Sequence, residues 1–99
     1  MNLINQNIEQ INSLCKSHKV ESLYAFGSVL TDKFNDQSDV DLIVNFSNID
    51  LLDYADNYFD FKFSLEAALN RPIDLLEGKA IKNPYFKNAV EQSRKLIYG

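Results

Sequence analysis

The sequence has a single cysteine, no surplus of basic residues and no long apolar run, and each shortage removes a class of protein. Cys15 has no partner for an internal disulfide, and it falls among Ile8, Ile11 and Leu14 at helical spacing, which assigns it to the core. No stretch approaches the ~18 apolar residues of a membrane span, and Met1 to Asn7 has neither the basic start nor the apolar centre of a leader peptide. The expected location is the cytoplasm. Ten Lys and Arg against fourteen Asp and Glu leave a formal net charge of −4. Affinity for a phosphate backbone comes from clustered basic side chains, so a long polynucleotide is not the expected partner. A single nucleotide remains open, because a bound divalent cation supplies the positive charge that a triphosphate requires.

What is present is an ordinary folded composition, 45% hydrophobic and 24% charged over 99 residues, without repeats or low-complexity tracts. One domain spanning residues 1–99 is expected, since a second core would have nothing to build it from. Ile4, Ile8, Ile11 and Leu14 recur at helical spacing and predict an amphipathic helix over residues 3–17. A strand within Glu21 to Phe26 stops at Gly27-Ser28, and residues 29–38 read as a helical turn followed by a polar loop. Val40, Leu42, Ile43, Val44 and Phe46 form a nearly continuous apolar run, the mark of a central strand buried on both faces.

Asn48 or Asp50 can cap a helix from about Leu51 to Leu69, with Leu51, Ala55, Tyr58, Leu65 and Leu69 on one stripe and Asn70 closing it. Ile73 to Leu76 reads as a third strand, and Asn83-Pro84 opens a last helix whose face includes Phe86, Val90 and Ile97. The order predicts an α+β fold, a small mixed sheet with helices packed over it. Tyr54, Tyr58, Phe59, Phe61 and Phe63 at helical spacing are expected in the core, any surplus marking a protein interface.

The chemistry-bearing residues are fewer. Asp39 and Asp41 lie two apart in an apparent strand, so both side chains project from one face, with Cα atoms about 6.5 Å apart. Two carboxylates so placed repel each other unless a hard cation lies between them. Gly27 lets the backbone approach a phosphate closely, and Ser28 with the amides after Gly27 can donate to it. Each pair alone is commonplace in turns. The joint pattern G-S-x10-D-x-D, from Gly27 to Asp41, arises by chance in about one 99-residue chain in a thousand at average residue usage. Asp74 is a third candidate, its alternatives being exposure to solvent or an ion pair with a base such as nearby Arg71. His18, in the polar Lys16-Ser17-His18-Lys19 connection, is expected on the surface, and Asp32, Asp36, Asp50 and Asp53 as turn, cap and solvent residues.

Phe26-Gly27-Ser28, Ser38-Asp39-Val40-Asp41-Leu42 and Pro72-Ile73-Asp74-Leu75 together resemble the minimal nucleotidyltransferase (MNT) domains of the DNA polymerase β-like superfamily, over nearly the whole chain. The resemblance implies a palm-like nucleotidyltransferase fold in which Asp39, Asp41 and Asp74 hold two Mg²⁺ ions while Gly27 and Ser28 hold the outer phosphates of ATP. A hydroxyl would attack the α-phosphorus and pyrophosphate would leave. It also implies an antitoxin-type partnership with a HEPN-domain protein, a tyrosine of which accepts AMP. Val29, Leu30 and Thr31 stand where many relatives have arginines, and Lys33 is the only cation in that segment. An alternative is therefore a binding module that neutralises its HEPN partner with a vestigial acidic site. A small-molecule nucleotidyltransferase ranks last, because such enzymes need additional substrate-binding structure. Nucleotide preference, acceptor identity and self-association stay open at this level.

Overall fold

The computed structural model describes residues 2–99; Met1, where the reading of a leader-free start begins, lies outside them. Four strands form one sheet in the order β3-β2-β1-β4: β1 (Val20–Phe26), β2 (Val40–Phe46), β3 (Ile73–Glu77) and β4 (Lys95–Tyr98). β1 is antiparallel to both neighbours, and β2 runs parallel to β3. Parallel neighbours need a long crossover. Here it is the helix α3, Leu51–Leu69, which ends at Asn70 in the left-handed conformation (φ 54°, ψ 44°). The mixed sheet is as expected, and β2 is one of its two inner strands, with Val40, Leu42, Ile43, Val44 and Phe46 all buried.

Alternation along the strands divides the side chains between two faces. Leu23, Ala25, Val40, Leu42, Val44, Ile73 and Leu75 join one buried cluster with Ile11, Cys15, Phe61 and Leu65 from the helices. Each such aliphatic side chain contributes on the order of 1.5–3 kcal/mol through burial. Burial also pushes the Cys15 thiol up to about 12, because the interior disfavours the thiolate. The opposite face carries Phe26, Asp41, Ile43, Asp74 and Leu76, partly covered by the last helix, α4 (Pro84–Ser93). Ile43 and Val90 are buried there, apart from the main cluster. Among the described residues no helix is long and apolar enough to cross a membrane.

Five expectations change. The N-terminal helix is two helices, α1 (Asn2–Gln6) and α2 (Ile8–Ser17), broken at Asn7, whose side-chain amide donates back to the Leu3 carbonyl at 2.8 Å. α4 stops at Ser93, and Ile97 sits in the edge strand β4 beside β1 rather than on a helix. Asp50 is the N-cap of α3 without a side-chain cap bond, and Leu51 is 90% exposed rather than part of a buried stripe. Of the aromatic cluster only Phe61 is fully buried, while Phe59 and Phe63 stack on each other at the surface with centroids 6.0 Å apart. His18 is buried: its Nε2 lies 2.6 Å from Asp60 Oδ2 and its Nδ1 2.8 Å from the Leu14 carbonyl. The partner on α3 is 42 residues away, so nothing in the polar neighbourhood of His18 announces it.

Candidate functional site

The site forms where three strands meet at one end of the open face. Asp41 on β2 is directly opposite Asp74 on β3 and opposite Phe26 on β1. Directly paired residues point to the same side, so the two carboxylates stand side by side. Their common row is secured at the strand entrances by the Val40 amide, which donates to the Pro72 carbonyl at 3.1 Å. β2 begins at Val40, so Asp39 is the residue just before the strand rather than within it.

Gly27 follows Phe26 at the same end, with φ +74°, a conformation that L side chains rarely adopt. A Cβ built there would lie 2.6 Å from Asp41 Oδ2. The glycine therefore does two things: it allows the sharp exit from β1 and leaves room for the carboxylate. The chain then turns through a short 3₁₀ segment, Gly27–Leu30, closed by the Thr31 amide on the Ser28 carbonyl at 2.9 Å. Within it Val29 is buried in the main core. A side chain at that position supports the turn from beneath.

The electrostatics follow from this crowding. Partial burial raises the Asp41 carboxyl above the ordinary carboxylate range, and the negative charges of Asp74 and Asp39 raise it further. Among the described residues no three donors are gathered as a ready ion cage. Backbone register fixes how near these carboxylates can come, whereas Asp39 and Asp74 are exposed and their rotamers can turn. Hard oxygen donors on one open face, mutually repelling and next to a glycine turn, fit a divalent cation in chemistry and direction.

Arg71 does not pair with Asp74. Its Nη1 donates to the carbonyls of Asn35 (2.6 Å) and Ser38 (3.1 Å), its Nη2 reaches Asp36 at 3.4 Å, and its guanidinium lies 4.5 Å over the Phe34 ring. Arg71 thus clamps the loop that delivers Asp39, from the entrance of the strand that carries Asp74. Sequence reasoning missed this because the loop is more than thirty residues upstream. The aromatic pair Phe26 and Phe86, edge-to-face at 6.2 Å across the site's margin, was likewise invisible.

A mixed sheet backed by helices, with carboxylates at the entrances of two parallel strands beside a glycine turn, belongs to the nucleotidyltransferase class of folds. The family model described as "Polymerase beta, Nucleotidyltransferase" matches residues 9–99, and the chain belongs to that family. It is 35% identical over 85 residues to a Methanocaldococcus jannaschii protein named "Putative protein adenylyltransferase MJ0128", covering 86% of this chain and 82% of that one. A solved structure described as a "putative minimal nucleotidyltransferase" superposes with TM-score 0.76 at 25% identity, over 93% of this chain and 90% of the other. The MNT antitoxin solved with a tri-AMPylated HEPN toxin from Shewanella oneidensis shares the fold, with TM-score 0.65 and 21% identity over 96% of this chain and 71% of the other.

Proposed function

We propose that this protein transfers the adenylyl group of ATP to a tyrosine hydroxyl of a HEPN-domain partner, with Asp39, Asp41 and Asp74 holding Mg²⁺ and Gly27 and Ser28 holding the outer phosphates. The observation that carries it is the Asp41 and Asp74 row with Gly27 against Asp41. Membership of the family and the likeness to protein adenylyltransferases support the reaction type, and the likeness to an MNT antitoxin on its AMPylated toxin supports the partner.

In this reading Asp39 and Asp41 would hold the cation that serves the triphosphate, and Asp74, one strand over, would face the incoming hydroxyl. Bound Mg²⁺ would neutralise phosphate charge and increase the acidity of the acceptor. Burial and the charges of Asp74 and Asp39 raise the Asp41 carboxyl, a crowding that a bound cation would relieve. Gly27 keeps a side chain out of the phosphate path. The whole chain acts as one domain, in the cytoplasm where ATP and Mg²⁺ are abundant.

The second reading, neutralisation by binding alone, is favoured by one observation: Val29 is packed in the core and Leu30 is half-buried, so the stretch after Ser28 offers no guanidinium to the triphosphate. The stacked Phe59 and Phe63 would serve either reading as part of the docking surface. The test mixes the purified protein with its genome-adjacent HEPN protein, ATP and Mg²⁺. Intact-mass spectrometry is expected to show one or more AMP units on the partner, and none with Asp39→Asn. A complex with no mass increase, neutralised equally well by Asp39→Asn, would establish the binding-module reading instead.

A further inference from the structure

The five tyrosines of the chain are held in different ways. Tyr54 donates its hydroxyl to the Glu77 carboxylate and Tyr58 to the Leu75 carbonyl. Burial raises both phenols above their ordinary range, and Glu77 adds to it. Tyr24 lies under the Arg94 guanidinium, 4.0 Å from the ring centroid, and Tyr98 is half-buried in β4 opposite Leu23. Tyr85, near the start of α4, is 87% exposed, and its hydroxyl has no hydrogen-bond partner among the described residues. A hydroxyl in that state has no internal bond to break before it acts as a nucleophile.

The backbone under Tyr85 is fixed although its ring is free. Pro84 precedes it, and the Asn83 side-chain oxygen accepts from the amides of Tyr85 (2.9 Å) and Phe86 (3.2 Å). Phe86 packs edge-to-face on Phe26, beside the molecule's own acidic row. Successive helical residues are about 100° apart, so Tyr85 is turned away from that row and outward. Around it, residues 78–90 contain Lys79, Lys82 and Lys87, all exposed, and no acid. Residues 32–41 are the reverse, with Asp32, Asp36, Asp39 and Asp41 against Lys33 alone, and Asp74 lies across from Asp41. A chain of net charge −4 thus carries a basic patch around its free tyrosine and an acidic patch at its site.

We propose that Tyr85 is a self-modification site: the acidic site of one copy transfers AMP from ATP to the Tyr85 hydroxyl of a second copy. This step rests on the nucleotidyl-transfer reading above. The Tyr85 oxygen forms a bond to the α-phosphorus, and the bond from that phosphorus to the oxygen bridging to the β-phosphate breaks. Pyrophosphate leaves with the electron pair, and the phenolic proton passes to water. A second copy is selected over the molecule's own ring because Tyr85 faces away from its own acidic row. The opposite charges of the two patches steer the encounter. The patches are different surfaces, so the contact is head-to-tail and forms no closed dimer. The reaction also limits itself. The new phosphodiester places a negative charge beside Lys82 and Lys87, which weakens the attraction to a further acidic site and holds the product at one AMP per chain.

The test incubates the purified protein alone with ATP and Mg²⁺ and follows its intact mass, beside a parallel reaction containing the HEPN protein. The wild type is expected to gain one AMP, mapped by peptide sequencing to Tyr85. Tyr85→Phe is expected to gain none while it modifies the HEPN protein at the wild-type rate, which also shows that the variant is folded. Tyr85→Phe has the site without the acceptor, and a tagged Asp39→Asn chain has the acceptor without the site. Mixing the two is expected to label the tagged chain. Doubling the protein concentration should about double the fraction labelled per unit time, as for a bimolecular step. Equal self-labelling in Tyr85→Phe overturns the site, and labelling of the wild type without labelling of the tagged chain overturns the second copy. No mass gain on this protein while the HEPN protein is modified overturns self-modification and leaves the function standing. AMP on this protein but not on the HEPN protein supports self-modification and overturns the partner. No AMP on either overturns both.

Discussion

The two faces of one sheet are built to different standards. The helix-covered face is closed: Leu23, Leu42, Val44 and Leu75 are 0–3% exposed beneath Phe61 and Leu65. The other face exposes Asp74, half-exposes Asp41 and Leu76, and is only partly covered by α4. Consecutive residues of the same strand therefore meet different surroundings, Leu42 and Leu75 the closed core, Asp41 and Asp74 the open face. Like charges can be crowded on the open face because the closed face supplies the folding free energy.

The sharpest way to break that division is to remove the charges. Asp39→Asn combined with Asp41→Asn is expected to reduce AMP transfer at least about a thousandfold, about 4 kcal/mol of barrier, and to abolish Mg²⁺-dependent ATP binding. Stability should hold or rise. Asp41 has a raised carboxyl in the fold, so its ionised form opposes folding at any pH above the unfolded value of 3.8, and the neutral amide lifts that opposition. A lower melting temperature in the metal-free double variant would show that the acids are structural.

The converse change empties the closed face. Phe61→Ala, at a fully buried position, is expected to cost about 3–5 kcal/mol in denaturant unfolding, while transfer persists where the protein remains folded. A loss under about 1 kcal/mol would mean that the core lies elsewhere.

Within the open face, Asp74→Asn separates binding from chemistry. Single-turnover transfer should slow about tenfold to a hundredfold, with ATP affinity changed less than about threefold, because the proposed reaction puts Asp74 on the acceptor side of the row. Wild-type single-turnover rates would return Asp74 to a structural role.

The smallest effect is at Cys15. Its thiol is raised from 9.0 to about 12, so the stability this contributes is complete below pH 9 and is lost as pH rises toward 12. At pH 8 a thiol reagent should label the folded protein far more slowly than the urea-unfolded chain. Equal rates would show that the closed face opens readily.

Much of this was legible from residue order. The end of α3 at Leu69 follows from the buried Leu65 and Leu69 and from Asn70, whose short polar side chain tolerates the left-handed closing turn, whereas the stripe fails at its start, where Leu51 and Ala55 are exposed. The buried inner strand follows from the run Val40 to Phe46, and the candidate ligands from G-S-x10-D-x-D. These signals are local: a period, a cap, a spacing.

Residue order alone settles which residues share an element and a face, since helical and strand periodicity are properties of neighbouring backbone. Tertiary structure alone decided who meets whom across the chain. It put Asp74 opposite Asp41, turned Arg71 away from Asp74 onto the loop at Asn35 and Ser38, buried His18 against Asp60, and added Ile97 to the sheet edge. It also set Phe86 against Phe26 beside the open face. Those pairings depend on the α3 crossover and on strand register, which closing the core fixes and no short window of sequence contains.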